Sequence, residues 1–124
     1  MVAVDTSTLI AFIQGDKGSD VEAFDAALAA GDIILPPIVL TEVLSEPKLP
    51  ALHTSMVSAF AVMEIGAGYW MRAATTRGML LARNLRARLP DTLIAQCCID
   101  NDTALITRDK DFRHFARYCG LKLA

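Results

Sequence analysis

Ala3-Val4-Asp5-Thr6-Ser7-Thr8-Leu9-Ile10 is a short apolar run that stops at a carboxylate and resumes as a helix-forming stretch. Val2, Ala3 and Val4 have the composition of a buried strand, and Thr6 to Phe12 that of an opening helix. An Asp between them lies where an open parallel sheet exposes the carboxyl ends of its strands, the place where such sheets bind ligands. Asp is also a favoured helix N-cap, so this stretch alone does not separate capping from chemistry. The carboxylates further along the chain carry that decision.

Around this unit the chain alternates strands and helices. Gly15 to Asp20 is a turn, Ser19 or Asp20 is placed to cap a helix through Val21 to Leu28, and Gly31 ends it. Ile33-Ile34-Leu35 is a second strand, and Pro36-Pro37 opens a helix over Ile38 to Ser45. After Pro47 and Pro50 come a helix over Ala51 to Phe60 and a weaker third strand over Ala61 to Ile65. The longest helical stretch runs from Gly68 to Arg88, with Trp70, Ala73, Ala74 and Leu81 on the face assigned to the core. Leu89-Pro90 interrupts it, and Asp91 opens a helix that buries Ile94, Cys97 and Cys98. Ala104-Leu105-Ile106 is a clear strand, Asp111 to Arg117 a short helix, and Leu121 to Leu123 a candidate last strand. This alternation implies a parallel sheet covered by helices on both faces.

The length of 124 residues fits one domain, expected to span 1–124. With 53% apolar residues and a mean hydropathy of +0.38, the chain has enough material for a packed core, which excludes disorder. No apolar run approaches the ~20 residues of a membrane span, and the N-terminus lacks the pattern of a signal peptide, so a cytoplasmic protein without membrane contact is expected. Three cysteines leave an odd thiol, and no Cys or His pair has zinc-ligand spacing, His53 and His114 being isolated.

The net charge of −2 hides a split, with nine carboxylates against two lysines over 1–71 and eight arginines and two lysines against five aspartates over 72–124. Solvated helix faces would account for this, as would a basic surface for a phosphate backbone, to which Arg makes bidentate contacts. The overall acidity argues against a protein that grips nucleic acid by bulk charge.

Asp5 ends the first strand, Glu42 lies on the helix after the second, Asp91 at a helix N-terminus, and Asp109 just past the fourth strand. Each has an ordinary reading: Asp5 and Asp91 as N-caps, Glu42 as a solvated helix residue, Asp109 as a turn residue. In an open parallel sheet, however, all four can converge on one edge. Two unit charges ~4 Å apart repel by roughly 4 kcal/mol at an effective dielectric of ~20, so such a cluster needs a cation or a retained proton. An all-oxygen site suits Mg²⁺ or Mn²⁺, and such an ion assists phosphodiester hydrolysis. No nucleophile elbow, phosphate-cradling Gly-rich loop or dinucleotide fingerprint is present.

The ordered set Asp5-Thr6-Ser7, Thr41-Glu42-Val43, Pro90-Asp91-Thr92-Leu93-Ile94-Ala95 and Thr107-Arg108-Asp109 before Asp111-Phe112 resembles the PIN-domain nucleases, most of all the VapC-like toxins of toxin–antitoxin modules. The resemblance implies a three-layer α/β/α fold with a parallel sheet of four or five strands. It also implies an RNA substrate, Mg²⁺ or Mn²⁺ as cofactor, a cognate antitoxin and a homodimer. Carried over residue by residue, it makes Asp5, Glu42, Asp91 and Asp109 the acidic site. Asp5, Asp91 and Asp109 are metal ligands, Glu42 orients water or a second ion, and Ser7 and Thr107 support the site. Asp111 could replace Asp109, and Glu46 could compete with Glu42. Arg83, Arg86 and Arg88 are candidate RNA contacts, or else a solvated helix end whose charge suits the dipole.

The reading that follows is a metal-dependent endoribonuclease acting as a toxin. Two alternatives share the fold: an RNA-processing nuclease outside any toxin module, and a catalytically silent RNA-binding or interaction module. A signalling receiver domain ranks below these, because the third strand offers only Glu64 where that fold needs a phosphorylatable Asp.

Overall fold

The structure, a computed structural model, describes residues 1–124. Strand β1 (Val2–Val4) lies inside a four-stranded sheet. On one side are β2 (Ile33–Leu35) and, beyond it, β3 (Ala61–Val62); on the other is β4 (Leu105–Ile106). Every pairing is parallel, with Ala3 opposite both Ile34 and Leu105, Val4 opposite Ile106, and Leu35 opposite Val62. Strands covered on both faces carry continuous apolar runs, which is why Val-Ala-Val and Ile-Ile-Leu are legible as strands. The third strand is shorter than its apolar stretch suggests, and the candidate last strand reduces to one bridge between Leu123 and Leu105. The order β3-β2-β1-β4 reverses direction between β1 and β4. That reversal opens a crevice at their carboxyl ends.

Seven helices complete the α/β/α sandwich: α1 (Thr6–Ile13), α2 (Ser19–Ala30), α3 (Pro37–Leu44), α4 (Ala51–Ser58), α5 (Tyr69–Ala82), α6 (Leu89–Asp100) and α7 (Phe112–Cys119). Asp5 caps α1, accepting from the Thr8 N–H at 3.0 Å. Neither Ser19 nor Asp20 caps α2: the N-cap is Gly18, and the Asp20 side chain turns elsewhere. Gly31 closes α2 in the left-handed conformation, which a glycine adopts without a Cβ clash. Pro37 occupies the first turn of α3, where its missing N–H costs nothing.

The core joins sheet and helices through Val4, Leu9, Phe24, Leu35, Val39, Leu105 and Phe115, all fully buried. Each such side chain contributes about 1.5–3 kcal/mol relative to exposure. Phe24 also packs edge-on against Phe12 at 4.9 Å and Phe60 at 6.2 Å between centroids. No helix is long and apolar enough to cross a membrane. Cys97, Cys98 and Cys119 are free thiols, the first two in the core.

Helix α5 departs from the sequence expectation twice. It ends at Ala82 rather than Arg88, because Asn84 takes a positive φ of 59°. The Asn84 N–H then donates to the Leu81 carbonyl and the Leu85 N–H to the Leu80 carbonyl, a closed Schellman turn. Its buried face is also rotated: Tyr69, Ala73 and Leu80 point inward, while Trp70 is 62% and Leu81 47% exposed. The buried Tyr69 hydroxyl donates to the Leu93 carbonyl of α6, which fixes the register between the two helices. The buried stripe thus lies one residue earlier than the expected Trp70 and Leu81, with Ala73 common to both faces.

Candidate metal centre

Asp5 leaves β1 at the crevice and is 2% exposed. Its Oδ1 accepts from the Thr8 N–H at 3.0 Å and its Oδ2 from the Thr107 hydroxyl at 2.6 Å. The Ser7 hydroxyl donates to both oxygens, at 3.0 and 2.8 Å. Burial pushes this carboxyl above the ordinary aspartate range, and the bonds from Thr107, Thr8 and Ser7 pull the other way. Ser7 and Thr107 therefore hold the Asp5 carboxylate.

Asp91 is in a different state. Arg88 is the N-cap of α6, so Asp91 falls in the first turn and caps nothing. Its Oδ2 is buried and has no hydrogen-bond partner. Burial, reinforced by Asp109, Asp111 and Asp5 and opposed by Arg88, pushes its carboxyl up to about 6.

Asp109 and Asp111 come from the turn after β4. The Asp109 N–H donates to the Thr107 hydroxyl at 3.0 Å, and the Asp111 N–H to Asp109 Oδ1 at 2.9 Å. These two short loops aim both carboxylates at α6. One oxygen from each of Asp91, Asp109 and Asp111 lies within 4.8 Å of the others. At that separation each ionised pair repels by about 3 kcal/mol at an effective dielectric of ~20.

The remaining candidates are distributed around this cluster. Glu42, exposed on α3, accepts the Thr6 hydroxyl at 2.7 Å, which ties it to the residue after Asp5 but leaves it outside the three-carboxylate group. Glu46 instead accepts the Lys48 N–H at 3.1 Å and serves the turn after α3. The Arg86 guanidinium lies 3.6 Å from Asp111 Oδ2, and that of Arg83 stacks 4.3 Å over the Tyr118 ring. Arg88 is exposed, and its carbonyl accepts from the Thr92 N–H and hydroxyl at 2.9 and 2.8 Å.

Three crowded carboxylates, one with an orphaned buried oxygen, fit a divalent cation bound through oxygen, as Mg²⁺ and Mn²⁺ prefer. Asp91, Asp109 and Asp111 would hold it; Asp5, expected from the sequence as a ligand, lies outside this three-carboxylate group, its oxygens engaged by Ser7, Thr8 and Thr107. Sequence reasoning named Asp111 only as a substitute for Asp109. Its signal was the Asp-x-Asp spacing in a turn, which places both carboxylates at one end of a helix.

Fold and site together define a class: a parallel α/β sheet whose switch point is lined by carboxylates disposed for a divalent cation. Known proteins share this fold. The profile described as "PIN domain" matches residues 2–118. A chain in the crystal structure of VapBC2 from Rickettsia felis, bound to a DNA fragment from their promoter, superposes with a TM-score of 0.75 at 21% identity, covering 100% of this chain and 98% of that one. A chain of FitAcB from Neisseria gonorrhoeae gives a TM-score of 0.72 at 17% identity, covering 99% and 96%. No curated protein sequence matches. The chain belongs to the PIN domain family, whose members are generally nucleases.

Proposed function

We propose that this protein is a Mg²⁺- or Mn²⁺-dependent endoribonuclease, the toxin of a toxin–antitoxin pair, in which residues 1–124 act as one nuclease domain in the cytoplasm. The observation that carries the reading is the convergence of Asp91, Asp109 and Asp111 within 4.8 Å around an unpartnered, buried Asp91 oxygen. A divalent cation bound there would supply positive charge for a phosphoryl oxygen and make water more acidic.

The chain's own residues do the rest. Asp91, Asp109 and Asp111 would hold the cation, and Ser7 and Thr107 keep the buried Asp5 carboxyl in one orientation. Glu42 Oε1 takes the Thr6 hydroxyl, which leaves Oε2 to orient a water and receive its proton. Arg86, beside Asp111, and Arg88, at the start of α6, flank the carboxylates and are assigned to the RNA backbone, with Arg83 further along. The VapBC2 and FitAcB likenesses support an antitoxin partner. An exposed apolar hollow of about 390 Å³ between α5 and α6, lined by Trp70, Leu81 and Leu89, supports a homodimer.

The test is incubation of the purified protein with a mixed RNA pool under Mg²⁺, Mn²⁺ or EDTA, beside Asp91→Asn. Cleavage that needs metal and is lost in the variant is the expected result. A folded protein that cuts no RNA under either metal overturns the reading and leaves a silent binding module.

A further inference from the structure

Behind the carboxylates lies a second layer of polar contacts that the site chemistry does not use. Asp20, in the first turn of α2, is only 10% exposed at its side chain. Its Oδ2 accepts the Thr8 hydroxyl at 2.8 Å and Arg108 Nε at 2.9 Å, and its Oδ1 accepts Arg108 Nη2 at 3.1 Å. Arg108 Nη2 also donates to the Lys17 carbonyl at 3.1 Å, so the guanidinium is held from two sides. Parallel Arg–carboxylate bonds of this kind fix direction as well as distance.

Both partners of Asp20 sit next to the site. Thr8 is the residue whose N–H holds Asp5 Oδ1. Arg108 stands between Thr107, which holds Asp5 Oδ2, and Asp109, one of the clustered carboxylates. The turn after β4 is therefore anchored on its inner side by Thr107 to Asp5 and on its outer side by Arg108 to Asp20. Gly18 supports the same arrangement independently. A Cβ built there would lie 2.5 Å from Asp20 Oδ1 and 2.9 Å from Arg108 Nη2, so the ion pair packs against bare backbone.

We propose that Asp20, through Arg108 and Thr8, is a positioning residue that sets the separation of the segments carrying Asp5 and Asp109, and thereby the affinity of the carboxylate site for a divalent cation. The proposal rests on the metal-dependent reading above. Asp20 touches neither cation nor substrate; it acts through the backbone that presents the ligands. Groups that orient metal ligands in this way change metal affinity or activity by about 10–100-fold when removed.

The experiment is a Mn²⁺ titration of wild type, Asp20→Asn, Arg108→Lys and Gly18→Ala, with bound metal read by electron paramagnetic resonance. RNA cleavage is measured over the same Mn²⁺ range, and melting without metal. Asp20→Asn is expected to weaken Mn²⁺ binding about tenfold, with cleavage approaching the wild-type rate at saturating Mn²⁺. Arg108→Lys and Gly18→Ala should shift binding in the same direction by less. If Asp20→Asn does not fold, Arg108→Lys carries the test, since Lys keeps the charge but cannot make the two parallel bonds. Lower melting temperatures with unchanged Mn²⁺ binding would make the pair merely structural and overturn the proposal alone. A wild type that neither binds Mn²⁺ nor cuts RNA would overturn the nuclease reading, and the positioning role with it.

Discussion

Asp5, at the end of β1, and Asp91, in the first turn of α6, are built in opposite ways. Asp5 is sealed in, with both oxygens taken up by Ser7, Thr8 and Thr107. Asp91 faces two other carboxylates and keeps one buried oxygen without a partner. The first is satisfied by the fold, the second only by something the fold does not supply. A buried acceptor with its donors in place stabilises, whereas one left unmet costs about 1–3 kcal/mol. The crevice thus combines a rigid anchor with a site under electrostatic load.

The largest expected effect does not distinguish the two. Asp91→Asn and Asp5→Ala should each reduce RNA cleavage by about 10²–10³-fold or more, the scale lost when a single electrostatic contact to the transition state is removed. Metal-free melting does distinguish them. Asp5→Ala removes the α1 cap and strands the Ser7 and Thr107 hydroxyls, for a loss of about 2 kcal/mol. Asp91→Asn removes a charge disfavoured first by burial and then by its neighbours, and with solvent screening at this half-buried position should gain about 1 kcal/mol. Stabilisation by both changes, or destabilisation by both, would show the two acids to be equivalent.

A smaller effect appears on titration. The folded protein holds the Asp91 proton to about 6 against an ordinary 3.8, so between those values the folded state binds more protons than the unfolded one. Its contribution is fully present below the lower value and is lost as pH rises through the upper. Metal-free stability of the wild type should therefore fall relative to Asp91→Asn between about pH 4 and 6, measured as paired denaturant midpoints. The smallest effect belongs to the rim. In an Asp91→Asn background, which prevents cleavage, replacing Arg86 or Arg88 by Ala should lower the slope of log K for RNA against log salt by about 0.7 per lost phosphate contact. A slope unchanged in fluorescence titrations would remove those arginines from the RNA path.

Much of the fold was legible because its strands are short apolar runs bounded by Asp, Gly and Pro. Val2–Val4 and Ile33–Leu35 carry their own boundaries. The end of α5 was not read because the 3.6-residue periodicity runs on past Asn84, whose left-handed turn closes the helix. Asp5, Asp91 and Asp109 lie at a strand end, in a first helical turn and in the turn after a strand, where the topology brings them toward one crevice, whereas Glu42 sits in the second turn of α3. Which of them share a cation is a matter of tertiary distance, and the sequence carries no distances. The pairing of Asp20 with Arg108 was not legible for the same reason: the two are 88 positions apart and share no periodic pattern.

The brevity of the outer strands has a consequence for solubility. One margin of the sheet is the two-residue β3. The other, β4, is covered where the Leu105 N–H donates to the Lys122 carbonyl and the Leu105 carbonyl accepts the Ala124 N–H, both at 2.9 Å. Unpaired strand margins are templates for aggregation, and short or covered ones offer an incoming chain too few hydrogen bonds to nucleate on. In a chain this rich in apolar residues, both margins of the sheet thus offer an incoming strand little to pair with.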